Sequence, residues 1–316
     1  MTAKRRESHA NKGSTRGFFP IRLKPFLMKL RLLSAFAVFT LAFAATAVLQ
    51  AAEPLKVLII TGGCCHDYAK QKDILREGLE KRANVEVTLI HTDSKSTKPW
   101  LPIFNNPDYA KGYDVVIHDE CAAGVNDQPV VENVLAPHRA GIPGVNLHCA
   151  MHCYRIGNPN DPVTDLDAPH ALWFKYLGLQ SSGHGPQEPI DVKILDKDHP
   201  IMKGMEDWTT IKEEHYNNIK ILDTAHPLAH GLQTVKVKTK QADGTETMEE
   251  KSVDWVDVWT NLYEGKTRVF STTLGHNDET VASDKYLDLV TRGVLWAAGH
   301  LNDDGTPAAG YGPGGK

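Results

Sequence analysis

The hydrophobic pattern from residue 55 onward alternates short apolar runs with longer amphipathic stretches. Residues 56–61 form a β-branched run that ends in Gly62-Gly63, which is typical of a buried strand followed by a turn. Apolar residues near helical spacing follow over 67–82, and the alternation continues with predicted strands at 85–91, 113–120 and 142–148 and a crossover helix at 129–139. Because strands joined by helical crossovers pair in parallel, this pattern predicts a parallel sheet with helices on both faces.

The second half of the chain is less regular and predicts inserted antiparallel strands. Its predicted elements are a short helix at 168–178, strands at 191–195, 235–239, 253–261 and 268–273, and a final helix capped by Ser283. Asp243-Gly244 lies between two of these strands and is typical of a hairpin tip. Trp255 and Trp259 are four residues apart on one strand, so without a bulge both face the same way and could stack on a sugar. We expect one α/β domain over 53–300 and a disordered Gly- and Pro-rich tail over 301–316.

The amino-terminal region has the pattern of a secretory signal. Residues 32–49 carry no charge, follow two basic residues, and lead to small-residue cleavage motifs at 45–47 and 50–52. A signal anchor is the alternative, since eighteen apolar residues could just span a bilayer. Met28 could be the true start of the protein, because residues 28–31 would begin a compact signal peptide. Residues 1–27 would then not be translated. The sequence therefore predicts a signal peptide within 1–52 and a periplasmic or secreted protein that meets the membrane only if this segment stays uncleaved.

Composition and charge narrow the class of protein. Of 316 residues, 41% are hydrophobic, which is enough for a sizeable core. The net charge of −4 is the sum of two unlike parts. Residues 1–52 have nine basic residues and one acid, and residues 53–316 have 26 basic and 38 acidic residues. Because the second part is acidic, we expect no binding to nucleic acid.

The five cysteines of an exported chain can form disulfides but leave at least one thiol over. Cys64 and Cys65 are adjacent, so a bond between them would require a strained peptide. Cys149 and Cys153 could share a helix face. No paired C-x-x-C units are present, which argues against a structural zinc site. We expect no disulfide framework.

Polar residues recur where the predicted strands end, and ligands bind beyond the carboxyl ends of such strands. These polar residues come from the ends of four strands. They are His66, Asp67, Glu120, His148, His152, His276 and Asn277. His66, His148 and His152, with Glu120 or His276, are candidate ligands of zinc, manganese or a similar divalent ion. His148 and His152 have the i, i+4 spacing that shares one helical face. The alternative is that these histidines only bond backbone groups around a polar crevice.

Other motifs exclude classes of enzyme. The Glu of H-E-x-x-H is missing after His148, which excludes that type of metalloprotease. There is no P-loop, and Gly62-Gly63 alone does not make a dinucleotide fingerprint, so we expect no nucleotide cofactor.

Five motifs follow one another along the chain. They are Thr61-Gly62-Gly63-x-x-His66-Asp67, Gly144-Val145-Asn146-Leu147-His148, Asp198-His199-Pro200-Ile201, Glu213-Glu214-His215-Tyr216 and Arg268-Val269-Phe270-x-x-Thr273-Leu274-Gly275-His276. Together they resemble the ThuA-like trehalose utilisation family over about 55–299. The resemblance implies a flavodoxin-like fold of the class I glutamine amidotransferase-like type, and a link to trehalose-type disaccharides and their 3-keto derivatives. It also implies that Glu214 and Tyr216 lie on the cleft side.

The amidotransferase relation implies a nucleophilic cysteine on a tight turn after a strand. Here His148 occupies that slot, and Cys149 follows one residue later. Glutaminase chemistry is therefore not expected, although Cys149 with His276 is the remaining Cys–His pair. An imidazole in the slot suits metal binding or proton transfer better.

We therefore expect an exported enzyme, an isomerase, lyase or hydrolase of sugar derivatives, that acts by His- and Glu-mediated proton transfer with or without a divalent metal. The expected catalytic residues are His148, His276, Glu214 and Tyr216, and the expected substrate-binding residues are His66, Asp67, Glu120 and Asn277. The expected partner is a small carbohydrate, with a homo-oligomer as the assembly. The alternatives are a non-catalytic sugar-binding module and a degenerate scaffold that binds neither metal nor sugar.

Overall fold

The computed structural model describes residues 52–241 and 243–315, so the predicted signal peptide lies outside the described residues except for Ala52. The strands are β1 (Leu55–Gly63), β2 (Val85–Thr92), β3 (Val115–Cys121), β4 (Gly144–Leu147), β5 (Leu179–Gln180), β6 (His184–Ile194), β7 (Trp208–Tyr216), β8 (Lys220–Ile221), β9 (Ala225–Lys240), β10 (Glu246–Tyr263) and β11 (Thr267–Thr272). The α-helices are α1 (Tyr68–Arg82), α2 (Gln128–Ala140), α3 (Leu172–Leu177), α4 (Asp278–Val281) and α5 (Asp284–Ala297). Among the described residues, no helix combines the length and the apolar content needed to cross a bilayer.

Nine strands form one sheet in the order β2-β1-β3-β4-β11-β10-β9-β6-β7. The first five pair in parallel, and β10, β9, β6 and β7 extend the sheet in antiparallel fashion. With β11 counted as the fifth parallel strand, the parallel part has the flavodoxin-like order 2-1-3-4-5. The predicted α/β fold, with a parallel sheet and inserted antiparallel strands, is confirmed. Strand β7 was not predicted as an element, because its amino-terminal half is exposed or half-buried and its apolar residues there, Trp208 and Ile211, do not alternate with polar ones.

Two hydrophobic layers cover the parallel part of the sheet. Alternating residues of β1 point to opposite faces, so Val57 and Ile59 enter one core while Leu58 and Ile60 enter the other. Helices α1 and α5 close the first core, and α2 and α3 close the second. This arrangement explains why β1 is apolar at nearly every position rather than at alternate ones.

Gly62 and Gly63 let the end of β1 lie unusually close to its neighbours. A Cβ atom at Gly62 would stand 2.3 Å from the carbonyl oxygen of Thr92 in β2. A Cβ atom at Gly63 would stand 2.2 Å from the carbonyl oxygen of Cys121 in β3, and Gly63 also has a φ of +106°. Both strand neighbours therefore require glycine here, and their approach fixes where the chain leaves β1.

The β9–β10 hairpin is present, with Gly244 in its turn, and a bulge separates its two tryptophans. One register shift places an extra residue, Asp257, in β10, and a second places Leu228 in β9. Because the extra residue in β10 turns the following side chains over, Trp255 and Trp259 do not face the same way. Trp259 enters the core and donates Nε1–H to the carbonyl of Leu177 at 2.8 Å. Trp255 stays half-buried. The buried Trp173 also belongs to the core.

The predicted disordered tail is instead docked. Leu301 and Pro307 form an isolated bridge, and the Tyr311 ring stacks on His300 at 3.7 Å. Asn84 donates its backbone N–H to the carbonyl of Tyr311 and its side-chain amide to the carbonyl of Gly310, each at 3.0 Å. The Gly- and Pro-rich composition predicted disorder because the tail is held largely by hydrogen bonds of its backbone, and backbone groups leave no hydrophobic pattern in the sequence.

A Gly63→Ala substitution tests the close packing of β1 against β3. The added methyl group meets the backbone of Cys121 and strains φ, so we expect a loss of about 3 kcal/mol in the free energy of unfolding. Chemical denaturation measures it. Gly204→Ala is the matched control, since Gly204 has a φ of +72° but no heavy atom of the described residues lies within 4 Å of its added Cβ. It should cost about 1 kcal/mol. Equal losses in both variants would contradict the packing argument.

Candidate functional site

Three imidazoles and one carboxylate meet at the carboxyl end of the parallel strands. His66 follows β1, His148 follows β4, His276 follows β11, and Glu214 comes from the end of β7. One ligand atom of each lies within 4.8 Å of the others. The sheet order explains the meeting, because parallel strands deliver their following residues to the same edge. We call these four residues the His/Glu cluster.

His148 is oriented by its backbone and by Thr273. It has a φ of +44°, in the left-handed region, and its Nδ1 lies 2.6 Å from the carbonyl oxygen of Thr273. Since a carbonyl only accepts, Nδ1 carries a hydrogen, and Nε2 is the ring nitrogen left to face the rest of the His/Glu cluster. Nε2 faces Glu214 Oε2 at 3.5 Å and the Tyr216 hydroxyl at 3.4 Å. This tautomer is the one that binds a metal through Nε2.

Glu214 is the one carboxylate of the His/Glu cluster. Its Oε2 lies 3.3 Å from Nδ1 of His276 and 3.6 Å from Nε2 of His184. Burial by itself raises the pKa of Glu214, but the adjacent imidazoles of His148 and His276 outweigh burial and hold this pKa well below its usual range. Glu214 is therefore ionised and is balanced by ring nitrogens on several sides.

His66 has a buried Nδ1 with no hydrogen-bond partner among the described residues, and the Nδ1 of His276 faces Glu214 Oε2 at 3.3 Å without the angles of a hydrogen bond. The His66 ring packs edge-on against those of His148 and His276, with centroids 4.6 and 4.7 Å apart. Burial, and then the neighbouring imidazoles, lower the pKa of His66 to about 3, so this ring is neutral at neutral pH. The Glu214 carboxylate raises the pKa of His276. A buried ring nitrogen without a hydrogen-bond partner, as at Nδ1 of His66, is unusual among the buried polar groups of a folded protein.

The donor set fits a divalent cation. Four ligand atoms around zinc, at bond lengths of about 2.0–2.1 Å, lie about 3.3–3.4 Å from one another in a tetrahedron. The separations of 3.3 Å between Glu214 and His276 and 3.5 Å between Glu214 and His148 match that edge. His66 offers a further ring nitrogen within 4.8 Å of these atoms. His66, His148, Glu214 and His276 could therefore hold such an ion.

His152, a candidate ligand in the sequence, lies beside the His/Glu cluster and not in it. Its Nε2 pairs with Ser181 Oγ at 2.9 Å, and its ring stacks on Tyr216 at 4.3 Å. The segment His148–His152 is a 3₁₀ turn and not an α-helix, so residues four apart do not share a face. Tyr216 is buried between His152 and His148.

Three other predicted residues lie outside the His/Glu cluster. Glu120 is fully buried in the second core, where it pairs with His118 at 2.8 Å and accepts from the Tyr154 hydroxyl. Asp67 is exposed at the start of α1. Asn277 donates to the backbone carbonyl of Lys212 and so joins the loop after β11 to β7.

Two residues that the strand-end pattern did not reveal complete the site. His184 begins β6 and faces Glu214, and its Nδ1 lies 2.9 Å from the carbonyl oxygen of Gly185. Glu213 is buried and accepts the backbone N–H of His276 at 3.0 Å. Both come from the antiparallel half, where the start of β6 pairs with the end of β7 and so brings residues from a strand start as well as a strand end to the site. The setting of His184 between two glycines was the available signal.

A cavity of about 500 Å³ adjoins the His/Glu cluster through His184. Its lining includes residues 183–186 at the start of β6, together with Asn160, Asn217, Trp255, Lys236 and Lys251. Amide groups and one indole face suit a polar ligand with apolar faces.

The sequence matches the ThuA family, described as trehalose utilisation, over residues 56–297. The chain belongs to the ThuA family. Its fold is similar to that of a ThuA-like protein of Parabacteroides merdae, at 20% identity and a TM-score of 0.54, over 78% of this chain and 90% of that one. A ThuA-like protein of Bacteroides uniformis matches at 17% identity and a TM-score of 0.50, over 78% and 94%. At these identities the likeness concerns the fold. Among curated proteins, none matches significantly.

Cysteine pairing in this ThuA protein differs from the prediction. Cys64 bonds to Cys65, and Cys121 bonds to Cys149, while Cys153 is a buried thiol. Cys65, the second residue of the bonded neighbouring pair, has a left-handed backbone with a φ of +83°. Cys149 is tied to Cys121, so the sequence-based alternative of a Cys149–His276 pair does not form here.

Asp257 holds the end of β11 beneath the His/Glu cluster. Its Oδ1 accepts from the Thr273 hydroxyl at 2.6 Å, and its carbonyl accepts the Thr273 N–H at 2.9 Å. Burial raises the pKa of Asp257 to about 8, with a smaller opposing effect of the Thr273 hydroxyl. The folded protein therefore keeps Asp257 protonated at neutral pH.

The pH dependence of stability tests this protonation. An unfolded Asp titrates near about pH 4, so the folded state binds the proton more tightly between about pH 4 and 8. The stabilisation is complete below this window and is lost as the pH rises through about 8. Relative to wild type, Asp257→Asn should gain up to about 1.4 kcal/mol per pH unit across the window. Denaturation at stepped pH values measures it. The exposed Asp223→Asn is the control, and a flat difference for Asp257→Asn would refute the protonated state.

Proposed function

We propose that this ThuA protein is a carbohydrate-active enzyme that binds a divalent cation at His66, His148, Glu214 and His276 and transfers a proton on a sugar derivative. The observation that carries the proposal is the convergence of three imidazoles on one buried carboxylate, with one ligand atom of each residue within 4.8 Å of the others. A bound zinc or manganese ion would supply Lewis-acid polarisation of a sugar oxygen. The family relation supports a disaccharide, or its 3-keto derivative, as the substrate.

His184 is the proposed proton acceptor. Its Nδ1–H donates to the carbonyl of Gly185, so its Nε2 keeps a lone pair. Its side chain is 40% exposed, and it lines the cavity where a sugar would lie. The Glu214 carboxylate, 3.6 Å away, would stabilise the imidazolium that forms when His184 takes a proton. Proton abstraction next to a carbonyl leads to isomerisation or elimination, which agrees with a 3-keto sugar.

The cavity offers groups that suit a sugar. The half-buried Trp255 can stack on the apolar face of a pyranose ring, and the Asn160 and Asn217 amides can bond its hydroxyl groups. Tyr216 is buried behind His148, where its hydroxyl positions that imidazole. Export by the predicted signal peptide would place this chemistry outside the cytoplasm.

Metal binding is tested on purified protein that has been stripped with a chelator and titrated with zinc or manganese. We expect one ion per chain, and an affinity at least about 100-fold lower in His66→Ala and Glu214→Gln, because each removes a donor. His152→Ala should keep the affinity, since His152 pairs with Ser181. Loss of binding in His152→Ala, with retention in His66→Ala, would show that the donor set is different.

Turnover is tested on 3-keto and ordinary disaccharides by following product by mass spectrometry. We expect His148→Ala and His276→Ala to abolish turnover, and His184→Gln to lower kcat by about 100-fold or more. His226→Ala is the matched control, because its imidazole is exposed and pairs with Asp196. Sugar binding without conversion would support a binding module in place of an enzyme, and full activity of His148→Ala would contradict the proposal.

A further inference from the structure

Four of the five cysteines meet beside the His/Glu cluster although they come from three segments of the chain. Cys64 and Cys65 follow the end of β1, Cys121 ends β3, and Cys149 follows β4. The close approach that Gly63 allows brings the first pair against Cys121, since Gly63 pairs with Cys121 in the strand register. The sheet topology, and not the sequence spacing, therefore creates this group.

The two disulfides differ in their access to solvent, and they are in contact. Cys65 is exposed, while Cys64, Cys121 and Cys149 are buried together with Tyr68. The Sγ atoms of Cys64 and Cys121 lie 3.4 Å apart, so a sulfur of the outer disulfide touches a sulfur of the inner one. Such contact is what thiol–disulfide exchange requires, because one sulfur must reach another directly.

We propose that these four cysteines form a dithiol–disulfide relay, in which the exposed Cys64–Cys65 pair passes two electrons to the buried Cys121–Cys149 pair. The inner bond ties the turn after β4 to the end of β3 and lies next to His148. The external reductant is an exposed dithiol, either a small molecule or a protein. The relay requires neither a bound metal nor a sugar, so it stands or falls independently of the proposed function.

The steps balance as exchanges of sulfur partners. An external dithiol reduces the Cys64–Cys65 bond, gives two thiols and leaves as its own disulfide. Cys64 then attacks Cys121, forms a Cys64–Cys121 bond and releases Cys149, which takes up a proton. Cys65 next attacks Cys64, restores the Cys64–Cys65 bond and releases Cys121 as a thiol. The net result is one external disulfide and two reduced inner cysteines.

The mixed disulfide of this relay can be trapped. In the Cys65→Ser variant Cys64 lacks its vicinal partner, so exchange stops at the Cys64–Cys121 bond with Cys149 as a thiol. Acid quenching, alkylation and peptide mapping by mass spectrometry identify the bonds without any assay of activity. We expect the Cys64–Cys121 peptide together with alkylated Cys149. An intact Cys121–Cys149 bond with alkylated Cys64 alone would overturn the relay.

The rate of reduction gives a second test, on a variant that retains the inner bond. With dithiothreitol as the probe, Cys64→Ser should reduce its Cys121–Cys149 bond at least about tenfold more slowly than wild type, because the route through Cys64 is gone. Cys153→Ser is the matched control and should reduce at the wild-type rate, since Cys153 belongs to neither bond. Equal rates in wild type and Cys64→Ser would show that the reductant reaches the inner bond directly, and would contradict the proposal.

Discussion

The burial of three imidazoles around one carboxylate is the constraint on which the site depends. Removing ionisable groups from water is costly, so such a group persists only where the charge is balanced and the rings are held in place. Here Glu214 supplies the negative charge, and the backbone supplies the restraint. The carbonyl of Thr273 fixes His148, and the carboxylate of Glu213 holds the backbone of His276. The restraints on His148 and His276 therefore come from residues at the ends of β11 and β7.

The parallel half of the fold was predictable, because buried strands leave continuous apolar runs that propensity alone can locate. The antiparallel half was less so. Strand β7 starts with exposed and half-buried residues that show no apolar alternation. The bulge in β10 sends Trp255 and Trp259 to opposite faces, and their spacing in the sequence does not reveal it. The docked tail depends on backbone hydrogen bonds, which leave no hydrophobic pattern.

Of the candidate site, the residues that follow parallel strands were predictable and those that depend on local geometry were not. His66, His148 and His276 converge because the topology carries strand ends to one edge. The expected use of His152 required an α-helix where the chain makes a 3₁₀ turn. Glu120 and Asp119 are neighbours in β3, and the alternation of strand side chains sends Glu120 into the opposite core. His184 reaches Glu214 only through pairing of β6 with β7, a long-range contact that no local pattern contains.

The turn after β4 places a histidine where the sequence analysis expected the slot of a nucleophile. His148 has a left-handed backbone, and its Nδ1–H is donated to the carbonyl of Thr273. The ring therefore has one orientation, in which Nε2 faces the Glu214 carboxylate and the ring packs against those of His66 and His276. A nucleophile would need a base beside it. The neighbouring Cys149 does not supply a free thiol, because it is bonded to Cys121. The backbone at this turn therefore fixes an imidazole in the His/Glu cluster and leaves no nucleophilic side chain at positions 148 and 149.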